Sequence, residues 1–546
     1  MCILCDHGKP QAHLTSRRNF LKGTAATGLA AGAMGLLGSS AAQATGLAAS
    51  PPPHTGAPGR RYVIRNAYVM TMEPGTPGAD SAFGEFIEGD VLVEGKTIKA
   101  IGKNLHVGNA AEIDARGKVV MPGFIDTHHH QAWTAIRSSI PNSILIDDGT
   151  GTSSAETNYF ANVLAGPTGT TGFARHYRPD DVYYSELLGG LSQLDAGVTT
   201  VFDISQIHHS PQHSDAAIAA LRDTGRRAKF GYFESAGAVP GNKYPQDAIR
   251  IRNTQLSSDD ALVTMVMGGE VYLGDQSTID SWTIGRQLGL QVAAHILSPF
   301  GIRPTLDRLT NGTFPSGIAV GSDNIFVHMT GMSDAAWERV AQVGAKVSIA
   351  FPIEMNMRHG TPPIIKMQEL ATRYPGFEPS LSVDVETNMT ADFFTQMRSA
   401  MTLQRVIVNQ AVLDSGDPTT NPWPPFPAGL PPLLNARDVL RYATINGAKH
   451  LRLDQKTGSL KVGKDADIII LDGTHLNVFP MNNVPGAVVT LMERTNVETV
   501  IVAGKIRKWN SKLLDANIDL LQRKVADTRD FLYQRAGVPQ NPFPPK

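Results

Sequence analysis

One stretch of this 546-residue chain has the residue types and spacing to do chemistry: Met121-Pro-Gly-Phe-Ile-Asp-Thr-His-His-His130. Residues 119–126 read as an apolar strand. Side chains two apart on a strand share a face, so His128 and His130 point the same way and His129 points opposite. Three further candidates end other apolar runs: His295 closes 291–295, His328 closes 325–328 and Asp384 closes 380–384. Four imidazoles and one carboxylate make a borderline donor set, suited to Zn²⁺ or Fe²⁺. Such an ion lowers the pKa of a bound water from about 15.7 to near 7. A carboxylate beside it can take up the proton. A lone histidine at a strand end is more often a packing residue; five candidates at the ends of four runs carry the reading.

These residues need a frame that brings distant strand ends together. Eight apolar, β-branched runs cover 119–126, 198–205, 228–234, 262–267, 291–295, 325–328, 346–351 and 380–384. Helix-like segments such as 185–195, 215–223 and 335–342 precede or follow them, several ending in a glycine turn (Gly197, Gly344). The pattern predicts an α/β fold, a (β/α)₈ barrel over 119–454, with reactive groups at the C-terminal ends of its strands. A doubly wound open sheet competes, but no glycine-rich phosphate loop follows any strand. The flanks, 61–118 and 455–510, are β-rich and predict one small β-sandwich domain built from both termini. A C-terminal helix and tail occupy 511–546.

Composition narrows the class. The chain has 49 basic and 50 acidic residues, a net charge of -1 and only two cysteines. That balance gives no reason to expect a nucleic-acid partner, and two cysteines cannot build a disulfide scaffold. Both cysteines, Cys2 and Cys5, precede Arg17-Arg18, a Gly/Ala/Leu run and Ala42-Gln43-Ala44. This order reads as a Tat-type export signal over 1–44, followed by a linker over 45–60. Cleavage after Ala44 would leave no cysteine, so any metal would be held by His, Asp or Glu. The expected location is periplasmic or extracellular, with the Tat machinery as a transient partner and no stable membrane anchor.

With these motifs in view, the sequence resembles the amidohydrolase superfamily over residues 60–510. The Pro122–His130 stretch, His328, Asp384 in Leu381-Ser-Val-Asp384, and the return Lys461-Val-Gly-Lys-Asp-Ala-Asp-Ile-Ile-Ile-Leu471 carry the resemblance. Within the superfamily the chain is similar to the cytosine deaminase/chlorohydrolase branch. The resemblance implies that His128, His130 and His295 bind one divalent metal, Zn²⁺ before Fe²⁺. Asp384 would touch the metal and act as general base, and His328 would ligate it or polarise the substrate. Run four has no lysine to bridge two metals. The resemblance also implies an exported enzyme that hydrolyses a C–N bond (amide, carbamate, urea or cyclic amidine) of a small molecule, by way of metal-bound hydroxide. The family often forms homodimers, though nothing in this sequence requires one.

One departure matters. Many deaminases of the branch have a Glu three residues after the strand-five histidine, where this chain has Ser298. Glu354 and Glu270 are candidates to replace it. Trp133, Arg137, Ser298 and Glu354 are candidates to line the substrate pocket. Deamination or dechlorination of a purine- or triazine-like ring is the competing activity. A non-catalytic ligand-binding barrel is the competing class.

Overall fold

The computed structural model describes residues 50–146, 157–164, 172–237, 239, 241–541 and 543. The export signal expected over 1–44 and the first part of the linker lie outside them.

The chain enters as β1 (Arg61–Met70), β2 (Glu85–Glu94), β3 (Thr97–Gly102), β4 (Ala111–Asp114) and β5 (Lys118–Pro122). The barrel follows: β6 (Phe124–His129), β7 (Val198–Ser205), β8 (Arg227–Tyr232), β9 (Val263–Gly268), β10 (Val292–Leu297), β11 (Asn324–Thr330), β12 (Lys346–Ile349) and β13 (Ser380–Leu381). These eight strands pair in sequence order, all parallel. A parallel bridge between His129 and Asp384 closes the ring. The fold is therefore the expected (β/α)₈ barrel.

The flanks form the expected β domain shared by both ends of the described chain. β14 (Ile468–Asp472), β15 (Val497–Val502), β16 (Lys505–Trp509) and β17 (Lys512–Leu513) return to join β1–β5 in a single nine-stranded mixed sheet. One sheet forms because the ten-residue β1 takes several partners. It pairs with β2 along its length, with β4 near its start and with β5 near its end. Strand residues from both chain ends, among them Ile64, Val91, Ile468 and Ile501, share one apolar core.

The first apolar run is also divided. Residues 119–122 belong to β5 in the mixed sheet, while β6 belongs to the barrel. Gly123 is the joint, and a Cβ there would run into the Thr199 side chain. The backbone can change sheets only where a side chain is missing.

The helices begin and end where local chemistry allows. Helix Pro179–Asp195 has proline at its start, and the Asp181 carboxylate accepts from the Arg178 N–H at 2.9 Å. Helix Asp334–Val343 opens on a Ser333 cap and closes on Gly344 at φ 75°. Inside the barrel, Ile125, Phe202, Ile204, Val266, Ile325 and Val327 pack with Ile445 and Ala448 of helix Ile445–His450. Thr127 bonds the Ser348 and Ser380 hydroxyls at 2.7 Å each. These side chains fill the barrel interior below the strand ends.

Candidate active site

The five candidate donors meet at that end. His128 Nε2 lies 3.0 Å from His130 Nε2 and 3.1 Å from His295 Nε2. Asp384 Oδ1 stands 3.6 Å from His128 Nε2 and 3.7 Å from His130 Nε2, and Oδ2 stands 3.6 Å from His328 Nε2. All five residues are buried.

The outer ring nitrogens settle the tautomers. His130 Nδ1 donates to the Ile204 carbonyl at 3.1 Å, His295 Nδ1 donates to Glu270, and His328 Nδ1 donates to Glu354 at 2.9 Å. Each of these three rings therefore turns an Nε2 lone pair inward. Lone pairs that close repel unless a cation lies between them. Zinc–nitrogen bonds of about 2.0–2.1 Å in a tetrahedral site place neighbouring donors roughly 3.3 Å apart, close to the spacing seen here. The donor set fits a divalent metal.

Burial prepares the same residues electrically. It holds His128, His130 and His328 well below the usual imidazole range, so their lone pairs are free at neutral pH. Burial raises Asp384 to about 7. For His295 the desolvation is outweighed by the Glu270 carboxylate, and its pKa is raised.

Local backbone geometry aims the groups. β6 ends at His129, whose ring turns away toward Glu386 (3.4 Å) and Asp126 (3.9 Å). Asp126 ties the motif down: Oδ1 accepts from the backbone N–H of His128 and of Val383, at 3.2 Å each, and Oδ2 accepts from Gln193 at 2.6 Å. His328 (φ 72°) and Asp384 (φ 71°) adopt left-handed backbone where β11 and β13 run out. That conformation is costly for residues other than glycine and tends to occur at functional sites.

The pocket above this cluster is walled by Leu145, Tyr159, Leu164, Leu297, Phe300 and Met357. Its polar lining, besides the donors, is Gln206, Tyr272 and His359. Gln206 Nε2 donates to Glu234 at 3.1 Å, and the Tyr272 hydroxyl donates to the same carboxylate.

None of the four residues expected to line the substrate pocket is among those lining this cavity, though Ser298 and Glu354 line a neighbouring one that shares His359 with it. Trp133 is fully buried, stacked edge-on against Tyr177 at 5.6 Å and set behind Tyr159. Arg137 pairs with Glu386 at 2.8 Å, beneath the site. Ser298 is exposed on an outer cavity, against Gly331. Glu354 is buried, and its carboxylate holds the His328 ring and the Ala350 N–H. Glu270 likewise serves His295, through its ring and its backbone N–H. Both acids orient histidines, a role the sequence reading did not assign; their only sequence signal was a carboxylate just beyond a strand end.

Residues 119–507 match the amidohydrolase family. The chain belongs to that family. It is an enzyme, a hydrolase of carbon–nitrogen bonds. It is similar to a 5'-deoxyadenosine deaminase of Methanosarcina acetivorans, with 27% identity covering 87% of this chain and 99% of the relative. An adenosine deaminase of Xanthomonas campestris, solved with bound zinc, shares the fold at 21% identity and a TM-score of 0.67, covering 88% of this chain and 99% of its own. An atrazine chlorohydrolase of Arthrobacter aurescens TC1, solved with zinc, does so at 19% identity and a TM-score of 0.66, covering 86% and 100%.

Proposed function

We propose that this amidohydrolase cleaves a C–N bond of a small uncharged molecule, using one divalent metal, zinc before iron, held by His128, His130, His295 and Asp384. The observation that carries the reading is the convergence of inward-facing Nε2 lone pairs on one carboxylate. When bound, the ion supplies Lewis acidity and an acidified water. Asp384, within 3.7 Å of three imidazole nitrogens, takes the proton of the attacking water and passes it to the departing nitrogen. His328, fixed by Glu354, polarises the bond under attack. The apolar walls limit bulk water around the reacting carbon.

Loading the protein with zinc and screening amides, carbamates, ureas and amino-heterocycles by mass spectrometry tests this reading. Products that require an intact Asp384 support it. Zinc-loaded protein inert toward all four classes would sink it.

A second reading, deamination of a purine- or triazine-like ring, is favoured by the deaminase relative that spans most of the chain. Ammonia release from an amino-heterocycle, with no amide cleavage, would select it. We also propose that residues 1–44 direct Tat-type export. Replacing Arg17 and Arg18 by Lys should retain the enzyme in the cytoplasm on cell fractionation.

A further inference from the structure

His359 is the polar residue of the pocket that the mechanism leaves without a task. It is 3% exposed, and neither Nδ1 nor Nε2 has a hydrogen-bond partner among the described residues. His129 is the one other buried histidine with neither nitrogen hydrogen-bonded among the described residues, and its ring faces the Glu386 carboxylate at 3.4 Å, outside the pocket. His208, His209, His213 and His450 each have both ring nitrogens bonded to a hydroxyl or a carbonyl. An imidazole buried with neither nitrogen bonded costs free energy that the free protein does not recover.

The ring is held in place. The His359 carbonyl accepts from the Thr330 hydroxyl at 2.6 Å, two residues beyond His328. Arg358 at φ 61° and Gly360 at φ 119° turn the chain on either side. The His359 ring therefore stands perpendicular to the His328 ring, with centroids 4.7 Å apart. One donor atom from each of His328, His359 and Asp384 lies within 4.8 Å of the others. His359 thus borders the point where the reacting carbon must sit. It stands on the strand-seven side of the pocket, whereas the acid of related deaminases would follow strand five.

We infer that His359 is a substrate-binding residue whose imidazole hydrogen-bonds a ring nitrogen or exocyclic amine of an uncharged, flat N-heterocycle. An imidazole has two ring nitrogens, one able to donate and the other to accept, and both of His359 are without a partner among the described residues. Across the pocket, Gln206 gives its N–H₂ to Glu234, and its carbonyl oxygen has no partner among the described residues. That oxygen can accept from a second N–H of the same ring. No Lys or Arg lines this pocket among the described residues, so nothing there would neutralise a carboxylate or a phosphate.

This inference rests on the hydrolase reading above. The test uses the full-length, zinc-loaded chain with adenine, 5'-deoxyadenosine and melamine as probes, comparing wild type, His359→Ala and His359→Gln. Binding is read by calorimetry in an Asp384→Asn background, and turnover by ammonia release. We expect His359→Ala to weaken binding and kcat/KM about ten- to a hundred-fold. His359→Gln, which keeps a donor and an acceptor, should recover part of the loss, and zinc content and Tm should stay unchanged. Unchanged affinity and turnover in His359→Ala would overturn the inference alone. Loss of zinc in His359→Ala would also overturn it, making His359 a metal ligand. Absence of binding and turnover of every probe by wild type would overturn it, while Asp384-dependent cleavage of an amide or carbamate would leave the hydrolase reading standing.

Discussion

Two groups of histidines sit at the same end of this barrel, and they are built in opposite ways. In one group, His208, His209 and His213, every ring nitrogen meets a serine hydroxyl or a backbone carbonyl at 2.8–3.0 Å. In the other, His128, His130 and His295 turn Nε2 atoms toward one another at 3.0–3.1 Å. Both groups are buried, and burial lowers the pKa of His208 and His209 to about 3 and about 4. Burial and residue type therefore do not distinguish a metal site from a packing cluster. The direction of the lone pairs does: the first group closes its own hydrogen bonds and the second turns its Nε2 atoms toward a common point that suits a cation.

The sharpest way to break this contrast is to remove ligands from each group. His128→Ala with His130→Ala should abolish zinc retention by elemental analysis and all turnover. His208→Asn with His209→Asn should retain full zinc content, and equal metal loss in both would erase the distinction. Next in size, Asp384→Asn should lower kcat about a thousand-fold with the circular dichroism spectrum intact. Unchanged kcat would remove Asp384 from the mechanism. Smaller again, Glu270→Gln frees the His295 ring and should weaken zinc about ten- to a hundred-fold in competition with a chelator. The smallest effect should appear behind the site, where burial raises Asp203 to about 7 beside Glu186. Its folded-state pKa exceeds the unfolded one, so its contribution to stability is present below about pH 4, is lost as pH rises from there to about 7, and changes no further above it. Asp203→Asn should therefore gain Tm relative to wild type progressively between about pH 4 and pH 7 and hold that gain above it. A gain that is flat with pH would show that Asp203 does not carry the proton.

Much of this was legible before the structure. The eight runs reappear as the eight barrel strands because a parallel strand covered on both faces reads as continuous apolar sequence. The i, i+2 spacing of His128 and His130 is a property of the strand itself. What escaped depended on tertiary contacts. Residues 119–126 read as one strand because nothing in an apolar run marks a change of sheet except Gly123. That both flanks join one hydrogen-bonded sheet was not legible, because the several partners of β1 cannot be read from β1. Glu270 and Glu354 looked like loop acids because their work is done on rings contributed by other strands. Trp133 and Arg137 follow the motif in the first loop, where they meet Tyr177 and Glu386, contacts set by what packs around the loop.

The joint at Gly123 also bears on the order in which the protein can be assembled. β5, one residue before the first ligand strand, lies between β1 and β14. Lys118–Pro122 pairs with Ile468–Asp472 along its full length. On the ribosome, the first two histidines emerge early, but the strand that anchors them stays half-paired until the far end of the chain has been made. Contacts so distant in sequence form late. The metal centre is thus a report on completeness: its first ligands become firmly seated only in a chain synthesised almost to its end.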